Sequence, residues 1–303
     1  MILTGRPVIF GEVLFDHFDD GTRVLGGAAF NVAWHLHGFG MNPLLISRVG
    51  QDTPGEEVIA SMHEWGMDTR GIQIDPMHPT GSVQVRITHG EPTFEIMTEQ
   101  AFDYVNYILA ATIIAREELS FLYNGTLTSR NPAGRKSLKS IRKQNSGTPI
   151  FVDLNLRTPW WDDELVDFTL QGTRWVKMNH DELGKIMKSD CDNTTTTEFS
   201  ARDLAKRYAL EMLIVTRGEQ GACLIMDDNG LQCYEPEKSP CVVDVVGAGD
   251  AFTATTLLGL TRGWPQEITM TQSNEFAATI CGQRGSVAQD RDMYRHFASK
   301  WGL

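Results

Sequence analysis

Long apolar runs are missing from this 303-residue chain. No stretch of about 18 apolar residues occurs, which excludes an ordinary membrane-spanning helix, and the N-terminus lacks the basic segment followed by an apolar one that marks an export signal. Basic residues are scarce as well. Lys and Arg number 27 against 39 Asp and Glu, a formal charge of −12, so the field of the chain repels polyanions and nucleic acid is not an expected partner. Cysteine is sparse: Cys191, Cys223, Cys233, Cys241 and Cys281 are odd in number, with no CxxC pair and no His spacing that suggests a zinc site. They read as reduced thiols, mostly core filler, in a soluble cytoplasmic protein without a membrane partner. Asn124-Gly125-Thr126 and Asn193-Thr194-Thr195 match the glycosylation pattern, but without a secretory route they carry no weight. A Gly-x-x-x-x-Gly-Lys-Ser/Thr loop is also absent, which excludes a P-loop nucleotide site.

What is present is ordinary globular composition, 41% apolar and 22% charged, enough for a sizeable core. Short apolar runs recur at Val8-Ile9-Phe10, Leu44-Leu45-Ile46, Phe121-Leu122-Tyr123, Ile150-Phe151-Val152, Trp175-Val176 and Leu213-Ile214-Val215. Helical stretches separate them, among them Ala28 to Phe39 and Ala201 to Leu210. Strand, helix, strand is the pattern of a mostly parallel sheet covered on both faces. Two stretches depart from it. Val83, Val85 and Ile87 alternate with polar residues up to His89-Gly90-Glu91-Pro92, after which Phe94 and Ile96 alternate again, a hairpin with one apolar face that belongs to a small accessory sheet. Ala222 to Met226 and Leu231 to Tyr234 form a second hairpin across Asp227-Asp228-Asn229-Gly230. No repeat or long linker divides the chain, so one α/β domain spans residues 1–303. In such sheets ligands bind outside the carboxyl ends of the strands, which singles out Asp16, Asp153, Asn155, Arg157, Asn179, Thr216 and Asp244.

The densest chemistry lies near residue 250. From Val242 to Phe252 a β-branched run passes through Gly247-Ala248-Gly249 into an uncharged stretch that continues to Leu260, which reads as a strand, a tight loop and a buried helix. Glycine lets the backbone approach a ligand, and the free amides of a helix start carry partial positive charge, so the place suits phosphate. Asp250 falls in the first turn beside this cradle, where an ionised carboxylate accepts a proton from an attacking hydroxyl. A capping acid after a glycine turn is the bland alternative. It is disfavoured because a helix without charge over ten residues belongs to the interior and opens onto a cleft.

Asp244-Val245-Val246-Gly247-Ala248-Gly249-Asp250 resembles the Asp-Thr-x-Gly-Ala-Gly-Asp signature of the ribokinase/PfkB sugar-kinase family, and Gly26-Gly27-Ala28-Ala29-Phe30-Asn31-Val32-Ala33 resembles its N-terminal signature. The resemblance spans nearly the whole chain. It implies a ribokinase-like three-layer α/β fold with a small β lid, approximately residues 12–25 and 82–99, and ATP-dependent phosphorylation of a sugar hydroxyl. Asp250 is then the base, with Gly247, Ala248 and Gly249 as the anion cradle. Val245 stands where the family usually has threonine. In the family the neighbouring aspartate and backbone carbonyls often hold a monovalent cation, so Asp244 and the Val245 carbonyl are candidates and potassium activation is an expectation.

The resemblance extends to other positions. Asp16, Gly27 and Asn31 are implied as sugar binders, a carboxylate and an amide being able to accept from and donate to vicinal hydroxyls; an exposed loop acid is the alternative for Asp16. Asp153-Leu154-Asn155-Leu156-Arg157 resembles the Asp-Pro-Asn-x-Arg stretch of fructokinase-like and 2-keto-3-deoxygluconate-kinase-like members. Its Arg157 suits a phosphate or an acidic sugar, against a surface ion pair with Asp162 or Asp163. Asn179 and Glu182 match an Asn-x-x-Glu element that implies Mg²⁺ held through waters beside ATP, the plain reading of Glu182 being a solvated helix face. Thr216, Gly218 and Gly221 resemble the nucleotide-binding Thr-x-Gly-x-x-Gly stretch, and Asn274 lies where a late helix approaches the adenine. A fructokinase-like enzyme is favoured over ribokinase, 2-keto-3-deoxygluconate kinase or nucleoside kinase, and a homodimer stays open. A nicotinamide oxidoreductase fails because Phe252 takes the last glycine position of the dinucleotide fingerprint. A non-catalytic sugar-binding protein of the same fold is opposed by the retained Asp250 and cradle.

Overall fold

Strict alternation along the apolar runs decides which face of the sheet each residue serves. The computed structural model describes residues 3–88, 91–191, 193–226, 230–236 and 242–303. The chain enters through β1 (Arg6–Phe10), a β2–β3 hairpin (Leu14–Phe18 and Arg23–Gly26) and α1 (Ala28–Gly38). There follow β4 (Leu44–Gly50), α2 (Thr53–Trp65), β5 (Ile72–Asp75) and the hairpin β6 (Gly81–Thr88) with β7 (Glu91–Ile96). The middle runs α3 (Tyr107–Ile114), β8 (Leu119–Asn124), α4 (Pro132–Gln144), β9 (Ile150–Asp153), α5 (Asp163–Leu170), β10 (Trp175–Asn179), α6 (His180–Met187) and α7 (Thr194–Tyr208). The end comprises β11 (Met212–Thr216), β12 (Ala222–Met226), β13 (Gln232–Tyr234), α8 (Ala248–Arg262), α9 (Gln266–Cys281) and α10 (Arg291–Trp301).

Nine strands form one sheet in the order β13-β12-β11-β10-β9-β8-β1-β4-β5. It is parallel from β11 to β5, with β12 and β13 added antiparallel at one edge. Ile9, Leu45, Phe121, Tyr123, Phe151, Trp175 and Ile214 point to one face, under α1, α2, α8, α9 and α10. Their chain neighbours point to the other: Val8 and Leu122 pack on α3 and α4, while Val152, Val176 and Leu213 pack on α5, α6 and α7. Helices on both faces of a mostly parallel sheet are the expected three-layer architecture. A second sheet, β3-β2-β6-β7, contains the strands expected near 12–25 and 82–99. Its apolar face of Leu14, Val83, Val85 and Ile96 closes on Phe102 and Leu127.

Several expectations shift. The helix expected from Ala201 begins at Thr194, because Asn193 caps it by accepting from the Thr196 amide at 2.9 Å. The five cysteines are not all reduced thiols: Cys223 and Cys233 stand opposite each other in the β12–β13 register and are joined by a disulfide. Cys191 and Cys281 are free, and Cys241 lies outside the described residues, as do His89-Gly90 and Asp227-Asp228-Asn229 of the two expected turns. Among the described residues no helix is long and apolar enough to cross a membrane.

Candidate active site

The catalytic carboxylate read from sequence sits at the start of a fully interior helix. Every residue of α8 from Ala251 to Gly259 is buried. Its N-terminus is turned by Gly247 at φ 83°, where a Cβ would come within 2.4 Å of the Ser286 carbonyl oxygen, so only glycine fits. No side chain caps the helix. The Ala248 amide makes a long bond to the Val245 carbonyl, 3.3 Å, while the Gly249 and Asp250 amides meet no acceptor among the described residues. Two open donors at a helix start are suited to holding an anion.

Asp250 is half-buried and does not cap its own helix. Its Oδ2 accepts from Asn31 Nδ2 at 2.7 Å, and Asn31 projects from the first turn of α1. Burial pushes the Asp250 carboxyl up to about 6; the Asn31 donation pulls it down, Asp153 raises it, and Lys177 and Arg157 lower it. The group is thus ionised at neutral pH, yet close enough to operating pH to accept a proton efficiently.

Beneath α8 lies a buried charge cluster that sequence reasoning did not assemble. Lys177 and Asp153 are direct neighbours in the β9–β10 register, and alternation turns both toward α8. Lys177 Nζ donates to the two Asp153 oxygens at 3.1 and 2.9 Å and lies 3.4 Å from the Gly249 carbonyl; Thr253, one turn into α8, donates to Asp153 Oδ2 at 2.7 Å. Burial opposes the Lys177 charge, but the Asp153 carboxylate outweighs it and lifts the ammonium above its ordinary range. The signal was present: a lysine inside an otherwise apolar strand has to be paired. The Tyr123 hydroxyl is fully buried on the same side and has no hydrogen-bond partner among the described residues.

The surroundings of Gly26 are equally tight. A methyl placed on Gly26 would lie 3.3 Å from Ser286 Oγ, 3.7 Å from Asn31 Oδ1 and 3.8 Å from Asp16 Oδ2, so these polar atoms surround one point. Asp16 is not an exposed loop acid. It is half-buried on β2, and burial lifts its carboxyl to about 6, eased by Arg157 and reinforced by Asp244. Gly27 has φ 105°, and a Cβ there would meet the Glu12 carbonyl oxygen at 2.8 Å. Glu12, missed from sequence, is buried with its carboxyl raised by desolvation and accepts from the Ala28 amide at 3.1 Å; it takes the place of the cap that Gly27 lacks. Arg157 is exposed and makes no ion pair among the described residues. Asp162 instead caps α5, and Asp163 pairs with Lys188. The Arg157 charge is felt by Glu12, Asp16 and Asp250, which places it at the mouth of the same cleft.

Toward the antiparallel edge, Asn179 and Thr216 are paired at the carboxyl ends of β10 and β11. Asn179 and Glu182 form a reciprocal cap, each side chain accepting the other's amide at 2.8 Å. Glu182 is not on a solvated face: it is buried, its carboxyl is raised by desolvation, and Oε1 takes the Leu156 amide at 2.6 Å. Gly218 and Gly221 shape the turn after β11, both at positive φ; at Gly221 a Cβ would strike the Tyr234 carbonyl at 2.1 Å. Asn274 is buried, and its Nδ2 donates to that Tyr234 carbonyl at 2.9 Å. Asp244 accepts from Val246 at 3.0 Å and Gly285 at 3.3 Å, and the Val245 side chain is exposed.

A carboxylate with a raised pKa beside open helix-start amides, on a three-layer sheet, is an arrangement suited to moving a phosphoryl group onto an alcohol. The pattern of the PfkB family carbohydrate kinases matches residues 9–292, and the chain belongs to that family: it is a carbohydrate kinase. A fructokinase of Klebsiella pneumoniae is 26% identical over 299 residues, covering 95% of each chain. Two solved structures share the fold. Fructokinase from Vibrio cholerae O395, in its fructose, ADP and calcium ion bound form, matches at TM-score 0.79 and 20% identity over 96% of this chain and 98% of its own. The 2-dehydro-3-deoxygluconokinase of Thermotoga maritima matches at TM-score 0.82 and 16% identity over 98% of this chain and 100% of its own.

Proposed function

We propose that this carbohydrate kinase transfers the γ-phosphoryl group of ATP to a hydroxyl of fructose or a fructose-like sugar. The observation that carries the reading is the Asp250 carboxylate, held by Asn31 at 2.7 Å beside the unpaired amides of Gly249 and Asp250. As the sugar oxygen bonds to phosphorus and the bond to the leaving ADP oxygen breaks, the hydroxyl proton passes to Asp250, a step worth about 10²–10⁴-fold. The Gly247-Ala248-Gly249 backbone receives the charge that develops on the transferred group. Asp16, Gly27 and Asn31 bind sugar hydroxyls, and Arg157 supplies a mobile cation to the transferred phosphate. The four-stranded sheet bearing Asp16 is the lid that keeps competing water from the acceptor position.

Asn179, Thr216, Gly218, Gly221 and Asn274 frame the nucleotide side. Magnesium, when bound with ATP, neutralises phosphate charge. Glu182 fits an outer role toward it, since both its oxygens already take backbone amides and their remaining lone pairs suit the ion's waters. Asp244 and the Val245 carbonyl are the candidates for potassium; each already accepts an amide, so a cation there shares its ligands with the loop. The 26% identity to a fructokinase across nearly both whole chains favours fructose. A coupled ATPase assay over fructose, ribose, 2-keto-3-deoxygluconate and nucleosides tests this: fructose is expected to give the highest kcat/KM, and a tenfold preference for another acceptor overturns it.

A further inference from the structure

Ser286 belongs to the segment between α9 and α10, far along the chain from the signatures, yet it is buried against the site. Its hydroxyl donates to Asn31 Oδ1 at 3.1 Å. Its carbonyl oxygen lies against Gly247 and 3.3 Å from His35 Nε2. His35 is fully buried, and desolvation draws it down to about 3, so the ring is neutral. The Ser286 carbonyl is an acceptor, which puts the ring hydrogen on Nε2 and leaves Nδ1 to accept from the Tyr294 hydroxyl at 2.8 Å. The Ala288 carbonyl, which accepts from the Trp34 indole at 2.9 Å, is the more distant acceptor for the Tyr294 hydroxyl, at 3.2 Å. Ser286 is therefore fixed through its backbone by α1 and α10, and its side chain reaches Asn31, the residue that donates a hydrogen bond to Asp250.

We infer that Ser286 is a positioning residue for phosphoryl transfer: by anchoring Asn31 Oδ1, its hydroxyl holds the Asn31 side chain where Nδ2 reaches Asp250. The inference rests on Asp250 being the base. A primary amide is nearly the same shape when flipped, but the flip exchanges a donor for an acceptor. With Oδ1 turned toward an ionised Asp250, two acceptors would meet at 2.7 Å, and the carboxylate would lose its donor. The flipped amide matches only the protonated acid. Removing the Ser286 hydroxyl leaves Asn31 Oδ1 without its anchor, so the side chain can swing and its donation, which favours the ionised form, weakens; the other groups facing Asp250, namely Asp153 on β9, Lys177 on β10, Arg157 after β9 and the Tyr123 hydroxyl on β8, are left untouched.

The test is a carboxyl-carbon NMR titration of Asp250, assigned by Asp250→Asn, in the wild type, Ser286→Ala, Asn31→Ala and the double variant, with kcat/KM profiles alongside. Ser286→Ala is expected to raise the Asp250 titration by about half to one unit and to lower kcat/KM at pH 6.5 by roughly 1.5-fold to threefold, with KM for ATP within about twofold. On the Asn31→Ala background the same change is expected to add nothing, because Ser286 acts through Asn31. Ser286→Cys, which keeps a weak donor, lies between, and it carries the comparison if the alanine variant does not fold. An unmoved titration in Ser286→Ala or Ser286→Cys, or full additivity with Asn31→Ala, overturns the inference. If the titration moves as stated but Asp250→Asn keeps its turnover, the base assignment falls while the positioning role stands.

Discussion

Replacing Lys177 by methionine removes the cation of the buried pair beneath α8 and leaves an unbranched side chain one atom shorter. Asp153 then keeps Thr253 as a donor at 2.7 Å but loses two charged hydrogen bonds, at 3.1 and 2.9 Å. Breaking a buried pair from one side costs about 3–5 kcal/mol, whereas removing both partners for an apolar pair is often neutral. The expected loss for Lys177→Met is therefore about 3–5 kcal/mol, a fall in Tm of roughly 5–15 °C. Asp153→Asn combined with Lys177→Met is expected to recover more than half of it. The acid limb of kcat/KM should follow the same course. Lys177 lowers the Asp250 carboxyl and Asp153 raises it, so the limb should move to higher pH in Lys177→Met and return toward the wild-type position in the double variant. Thermal unfolding and a pH profile of both variants decide the matter. A Lys177→Met protein that loses less than about 1 kcal/mol, or a double variant whose acid limb stays where Lys177→Met put it, refutes the reasoning.

The acid limb itself is a second expectation. Asp16 and Asp250 both have their carboxyls lifted to about 6, so kcat/KM should fall as pH drops through 6, with a slope steeper than one if both must be ionised; a flat profile down to pH 5 counts against it. Stability runs the opposite way. The folded-state value of Asp250 lies above its ordinary 3.8, so ionisation penalises folding above pH 6 and the penalty is released as pH falls; discounted for partial solvent access, Asp250→Asn should be about 1–2 kcal/mol more stable at pH 8. Denaturant titration of the two proteins at that pH reads the difference. Gly247→Ala, strained at φ 83° and pressed on the Ser286 carbonyl, should cost at least about 1–3 kcal/mol and most of the activity; a stable, active variant would show that the turn relaxes. Opening the Cys223–Cys233 link, which closes a short loop, should cost about 2–3 kcal/mol by urea unfolding with and without a dithiol.

Much of the sheet was legible because burial on both faces produces unbroken apolar runs, and α8 because an uncharged stretch after two glycines has few other readings. Partnerships across the fold were less so. Asp153 stood out as a polar strand end, but its partner depends on the β9–β10 register, which no local pattern in Trp175-Val176-Lys177 specifies. The disulfide is hidden for a related reason: a hairpin over these residues is legible, but the pairing of Cys223 with Cys233 depends on a strand register that a slip of one residue would undo. The start of α7 was hidden by four consecutive threonines, poor helix formers that Asn193 and tertiary packing override. Ser286 and Glu12 lie in irregular segments, where neither periodicity nor a signature marks a side chain as functional.

Asp250→Asn is the direct test of the central claim. The substitution keeps the shape of the side chain at the mouth of α8 and removes only its capacity to take a proton. Sugar binding by calorimetry should remain within a few-fold of wild type, while kcat for phosphoryl transfer should fall by about 10²–10⁴-fold. Turnover near the wild-type rate in a folded, sugar-binding Asp250→Asn protein would contradict the account.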